Sequence, residues 1–194
     1  EKNGNIDVYF YEMMGMWMED MIVPDGNDYI YWVDDGDAID HFFRDPEMSM
    51  TSSDGYSITL FVHYLNNVYS NGDTAIIKEI WEEISEMGND CQIDCGINSI
   101  KNVLFNIYNV NFEDAWSDFC SRIIFNGDYY SLGNNPYFHE DQKDIISLLT
   151  YLPEPQSINV GETSFSISLN NVSSRYKLYQ TNSLGILSFD YEDV

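Results

Sequence analysis

A chain of 194 residues, 44% hydrophobic and 15% aromatic, has the material for one domain and a small second one. Eight basic side chains stand against 33 acidic ones, a formal charge of −25. Such a field repels nucleic acid and anionic membrane surfaces and favours cations or basic proteins, and no apolar run approaches the 18 residues of a membrane-inserting segment.

The opening residues EKNGN lead straight into Val8–Met21, VYFYEMMGMWMEDM, the strongest amphipathic helix candidate. A polar start without Met, just ahead of a core helix, reads as the middle of a longer protein. Glu12 and Glu19 lie seven residues apart in this helix, nearly two turns, and so share one stripe. Tyr9, Phe10, Met13, Met14, Met16 and Trp17 surround them with apolar surface. A carboxylate in that setting calls for a partner, a hydrogen bond or a metal.

Pro24 to Asp28 is a turn cluster, and Asn27 or Asp28 caps a short helix running to about Asp35. Asp37 caps a further short helix that Pro46 stops, and residues 47–56 read as a loop. Ser57–Tyr69 has helical spacing. Asp73 caps a helix with a stripe at Ile76, Ile77, Ile80, Trp81, Ile84 and Met87, closed by Gly88. Cys91–Gly96 reads as a connector, Ile97–Ile107 as a helix, and Asn111 caps a last helix ended by Gly127. Its acidic first turn suits the helix dipole.

Residues 128–143 read as a loop. Beyond Ile145 the period changes: Ser164–Leu169 (SFSISL) alternates, and shorter runs follow around Tyr176–Tyr179 and Leu184–Phe189. The expected class is therefore α+β: a mostly helical subdomain of about six helices over residues 1–143, then a small, truncated, sandwich-like antiparallel β module over 144–194.

Three cysteines leave their state open. Cys91 and Cys95 have the spacing for a bridge, for free thiols or for a weak metal pair, and the odd count leaves one thiol over among Cys91, Cys95 and Cys120.

Three stretches carry a resemblance. FYEMMGMWMEDMIVPDGNDYIYW, TLFVHYLNNVYSNGDTAIIKEIWE and NFEDAWSDFCSRIIFNGDYY, in that order across residues 8–143, resemble segments of secreted bacterial gluzincin-type zinc metallopeptidases. In that family a His-Glu-x-x-His helix supplies two zinc ligands and the general base, and a Glu on a later helix supplies the third ligand. The resemblance places Glu12 in that third position. The orienting acidic group of the family falls four residues on, where Met16 stands, so Glu19 is the alternative orienting group, and Tyr11 is a hydrogen-bond partner or plain core. No His-Glu-x-x-His is present; the histidines are the single His41, His63 and His139. The resemblance thus implies zinc only with upstream ligands, a peptide or protein substrate only for a longer active protein, no hydrolysis by this chain alone, and a secreted or cell-surface location with a signal peptide upstream.

Two other readings stand beside it. One is a non-catalytic acidic helical scaffold with a β module, used for surface attachment or partner binding. The other is a calcium-stabilised adhesion fragment using the oxygen ligands of Asp25, Asn27 and Asp28, although their spacing does not match an EF-hand loop.

Overall fold

The computed structural model describes residues 7–34, 42, 49–53, 55–88, 94–132, 141, 143–145, 156–157 and 179–180. Six α-helices are present among them: α1 (Val8–Ile22), α2 (Asp28–Asp34), α3 (Thr59–Tyr69), α4 (Ala75–Met87), α5 (Cys95–Asn106) and α6 (Phe112–Ile123). The expected helix around residues 37–45 lies outside the described residues, except that Phe42 is fully buried.

The centre of the fold is α3. Eight consecutive residues from Thr59 to Asn66 are buried, so this helix is enclosed all round and not merely along one stripe. Its Phe61 ring meets α6 edge-on, 5.9 Å from Phe112, 5.0 Å from Trp116 and 5.2 Å from Phe119 between centroids. At the polar end of the same contact, the Tyr64 hydroxyl donates to Asp118 at 2.8 Å, and Arg122 Nε donates to that carboxylate at 2.7 Å. Desolvation pushes the Tyr64 phenol well above its ordinary range, so it remains a donor.

The junction between α3 and α4 is self-capping. Gly72 takes φ +80° and returns its N–H to the Asn66 carbonyl at 3.0 Å. The Asn66 side chain accepts from Thr74 N at 2.9 Å, and Ser70 Oγ accepts from Ile76 N at 2.8 Å. Asp73, the cap expected from sequence, accepts from Ala75 N at 3.0 Å, so the orphan donors of α4 are shared among three side chains. Ile76, Ile77 and Ile80 then bury against the core, while the acidic face of α4 stays in water.

Helix α1 is fixed on α3 and α5 by close backbone approach. Thr59 Oγ1 donates to the Met13 carbonyl at 3.0 Å. A side chain on Gly96 would overlap the Phe10 ring, so the start of α5 rests directly on α1. That start is capped from a distance. Asp94, which flanks α5, is left-handed at φ +55° and makes no side-chain cap, whereas Asp7 Oδ2 accepts from Cys95 N at 3.1 Å. Burial raises the Asp7 carboxyl above its ordinary range, and the amides of Gly96 and Cys95 pull it back. Cys95, placed in the connector from sequence, opens α5 and is disulfide-bonded, while Cys120 is a buried thiol.

Several expectations are corrected. Helix α6 stops at Ile123 and not at Gly127, Asn111 precedes it without a side-chain cap, and Gly127–Leu132, at the start of the expected loop, forms a 3-10 helix. Residues 47–56 are not simply a loop: Met50–Ser52 forms a 3-10 turn, with Met50 fully buried. No antiparallel β module is present among the described residues. Within 144–194 these contain one pair of two-residue strands, β1 (Gln156–Ser157) and β2 (Tyr179–Gln180), which run parallel with Gln156 opposite Tyr179 and Ser157 opposite Gln180. Period-two alternation defines which face of a strand is apolar; it does not define the partner or its direction. The alternating Ser164–Leu169 lies outside the described residues. Ile145 is buried in the same core as the helices.

Candidate functional site

Two faces of α1 carry the chemistry. The inner face buries Tyr9, Phe10, Met13, Met14, Met16, Trp17 and Asp20. Asp20, and not Glu12, is the enclosed carboxylate of this helix, with 6% of its surface exposed. Its Oδ2 lies 3.9 Å from His63 Nε2 of α3, a separation longer than a hydrogen bond. The His63 ring in turn lies 4.8 Å from the Tyr29 ring, tilted by 32°. Tyr29 Oη donates to Asp141 Oδ2 at 2.6 Å, and the Asn27 amide, oriented with its nitrogen towards Asp141 and Pro24, reaches them at 3.2 and 3.1 Å.

This chain of polar groups ties α1, α2, α3 and the segment at Asp141 together. Burial dominates its electrostatics: desolvation lowers His63 from 6.5 to about 3, so the imidazole is neutral at physiological pH despite the nearby carboxylate. Beside it opens a cleft of about 70 Å³ lined by Glu19, Asp20, Asn27 and Asp28 among others, a volume for a few waters and far below that of a small-molecule site.

The outer face is apolar as well. Val8, Tyr11, Met18 and Ile22 are exposed at spacings of three, seven and four, and Gly15 fills the gap in the series, with nothing within 4 Å of the point a Cβ would occupy. Met21 and Val23 widen the stripe, and Ile22 is 71% exposed. The series 8, 11, 15, 18, 22 is the three–four alternation of a coiled-coil seam. Glu12 and Glu19 each follow a seam residue by one position and so run along one edge. Trp81 of α4 props the upper end, with its ring 5.9 Å from Tyr11.

The residues singled out from sequence fall as follows. Glu12 is half-buried, its Cβ close to Gly55, with no hydrogen bond or ion pair among the described residues. Glu19 and Tyr11 are exposed. Asn27 and Asp28 reach the cleft beside Glu19 and Asp20, and Asp25 is exposed outside its lining. Among the described residues, no three His, Cys, Asp or Glu side chains are grouped to hold a metal, and no helix is long and apolar enough to cross a membrane. His41 and His139 lie outside the described residues. The sequence reading missed Asp20 and the enclosure of His63. Asp20 was detectable as the fourth member of the series 9, 13, 16, 20; His63 was hidden in the run LFVHYL, where nothing distinguishes a buried imidazole from an exposed one.

No family model, no curated protein and no solved structure matches the chain, so no family is assigned.

Proposed function

We propose that this chain is a non-catalytic helical scaffold that binds a partner protein through the outer face of α1. The observation that supports the reading is the exposed seam Val8, Tyr11, Met18 and Ile22, on a helix whose opposite face is anchored in the core. Single exposed apolar residues are ordinary; a regular row of them along a rigid helix marks an interaction surface. The test uses a labelled helical peptide with Leu at three–four spacing and Gln flanks. Fluorescence anisotropy is expected to give a dissociation constant near or below about 100 µM, equivalent to about −5.5 kcal/mol. The Met18→Glu/Ile22→Glu double variant, its fold checked by circular dichroism, is expected to lose binding. Absence of binding by the unaltered chain removes the reading.

A second reading keeps Glu12 as the third ligand of a zinc centre whose other ligands come from residues upstream. It is supported by a half-buried carboxylate that makes no hydrogen bond or ion pair among the described residues. Zinc titration of a chain extended upstream, with and without Glu12→Gln, tests it. A loss of about ten-fold or more in affinity is expected from removing an anionic ligand; equal affinity removes Glu12 from the centre.

A further inference from the structure

We infer that the occupant of the α1 seam is a cationic amphipathic helix, laid along α1 with its basic side chains over Glu12 and Glu19. The inference rests on the scaffold reading and adds the chemistry of the partner.

Three observations carry it. The seam keeps the three–four spacing across the 15 residues of α1, a length of roughly 22 Å that matches two heptads of a partner helix and not an extended peptide. Its edge is acidic: Glu12 and Glu19 occupy the equivalent position in successive heptads, where coiled coils place the charges that select a partner. Neither makes an ion pair among the described residues. Finally, the chain carries −25. A second copy would bring an equal charge to the same face, whereas a basic helix is drawn in over a Debye length of about 8–10 Å before contact.

Gly15 contributes shape. It sits at the centre of the seam with open space above it, a notch between Tyr11 and Met18 that accepts one large apolar side chain.

The experiment compares four labelled peptides: Leu seams flanked by Lys, by Gln and by Glu, and a scramble of the Lys peptide. The expected order is Lys over Gln over Glu, with the scramble at least ten-fold weaker than the Lys peptide. Glu12→Gln/Glu19→Gln is expected to weaken the Lys peptide about four-fold, the sum of two pairs at the edge of the seam, and to leave the Gln peptide unchanged. Raising salt to 0.5 M is expected to abolish that four-fold difference. Equal binding of the Lys and Glu peptides overturns the charge inference and leaves the scaffold reading standing. Equal binding of the scramble shows attraction to the overall charge and overturns it too. Failure of all four peptides removes both. Sedimentation showing a dimer that Ile22→Glu dissociates assigns the seam to a second copy and overturns the inference.

Discussion

Gly55→Ala is expected to destabilise the fold by about 3 kcal/mol, read as a fall of roughly 10 °C in melting temperature. Two effects combine. Gly55 has φ +89°, a conformation that costs an L-residue about 1 kcal/mol. Its missing side chain is also where the segment before α3 touches α1: a Cβ there would overlap the Tyr9 carbonyl oxygen and lie 2.9 Å from the Glu12 Cβ. The carbonyl is helix backbone and cannot rotate away, so the cost of overpacking, about 1–3 kcal/mol, is not relieved by a rotamer change. Nor does the segment yield easily, because Gly55 N donates to Ser53 Oγ and Ser53 Oγ to the Met50 carbonyl, with Met50 fully buried. Gly88→Ala is the control. Its φ is +54° with nothing within 4 Å, so it carries the backbone strain alone, about 1 kcal/mol. Equal melting temperatures for the two variants would show that the contact with α1 is not close. The substitution also acts on the site, since it presses on the side chain of Glu12.

The second large effect is acid sensitivity through His63. The folded imidazole titrates near 3 against 6.5 when free, because burial penalises the cation. Asp20, 3.9 Å from Nε2, and the flanking Tyr29 ring are among the groups facing it, and desolvation sets the direction of the shift. A depressed folded value means that the unfolded chain binds the proton more readily. The contribution is therefore fully present above pH 6.5 and is lost as pH falls from there towards 3. At pH 4.5 the loss is about 2.5 kcal/mol relative to pH 8. Urea unfolding at the two pH values, for the unaltered chain and His63→Gln, isolates this effect from the 33 carboxylates, which both chains share. The variant is expected to show a pH difference smaller by about that amount. If the variant does not fold, the ring-proton chemical shifts of the unaltered chain decide: His63 is expected to stay neutral at pH 5, and titration near 6.5 in the folded protein contradicts the burial argument.

Helix positions in this protein were largely legible because they depend on neighbours in sequence. Apolar spacing located α1, α3, α4, α5 and α6, and the turn residues Gly72, Gly88 and Asn111 marked the end of α3, the end of α4 and the start of α6, whereas α6 stops at Ile123, short of the expected Gly127. Local signals reach no further than the next turn. Asp7 caps α5 across 88 residues, while Asp94 beside it makes no side-chain cap. The antiparallel β reading failed for a related reason, since alternation fixes a strand's faces and leaves its partner and direction open.

The site shows the division most clearly. Sequence placed Glu12 and Glu19 on one stripe of α1, and the helix does run through both. It did not reveal which stripe turns inward, because α1 is apolar on two sides: 9, 13 and 16 compete with 8, 11, 18 and 22. Packing against α3 and α5 decided between them, through Thr59 on Met13 and Gly96 on Phe10. Burial depends on contacts with helices distant in the chain, so Asp20 was enclosed, the carboxylates at 12 and 19 were left at the outer edge, and α1 kept an apolar row facing water.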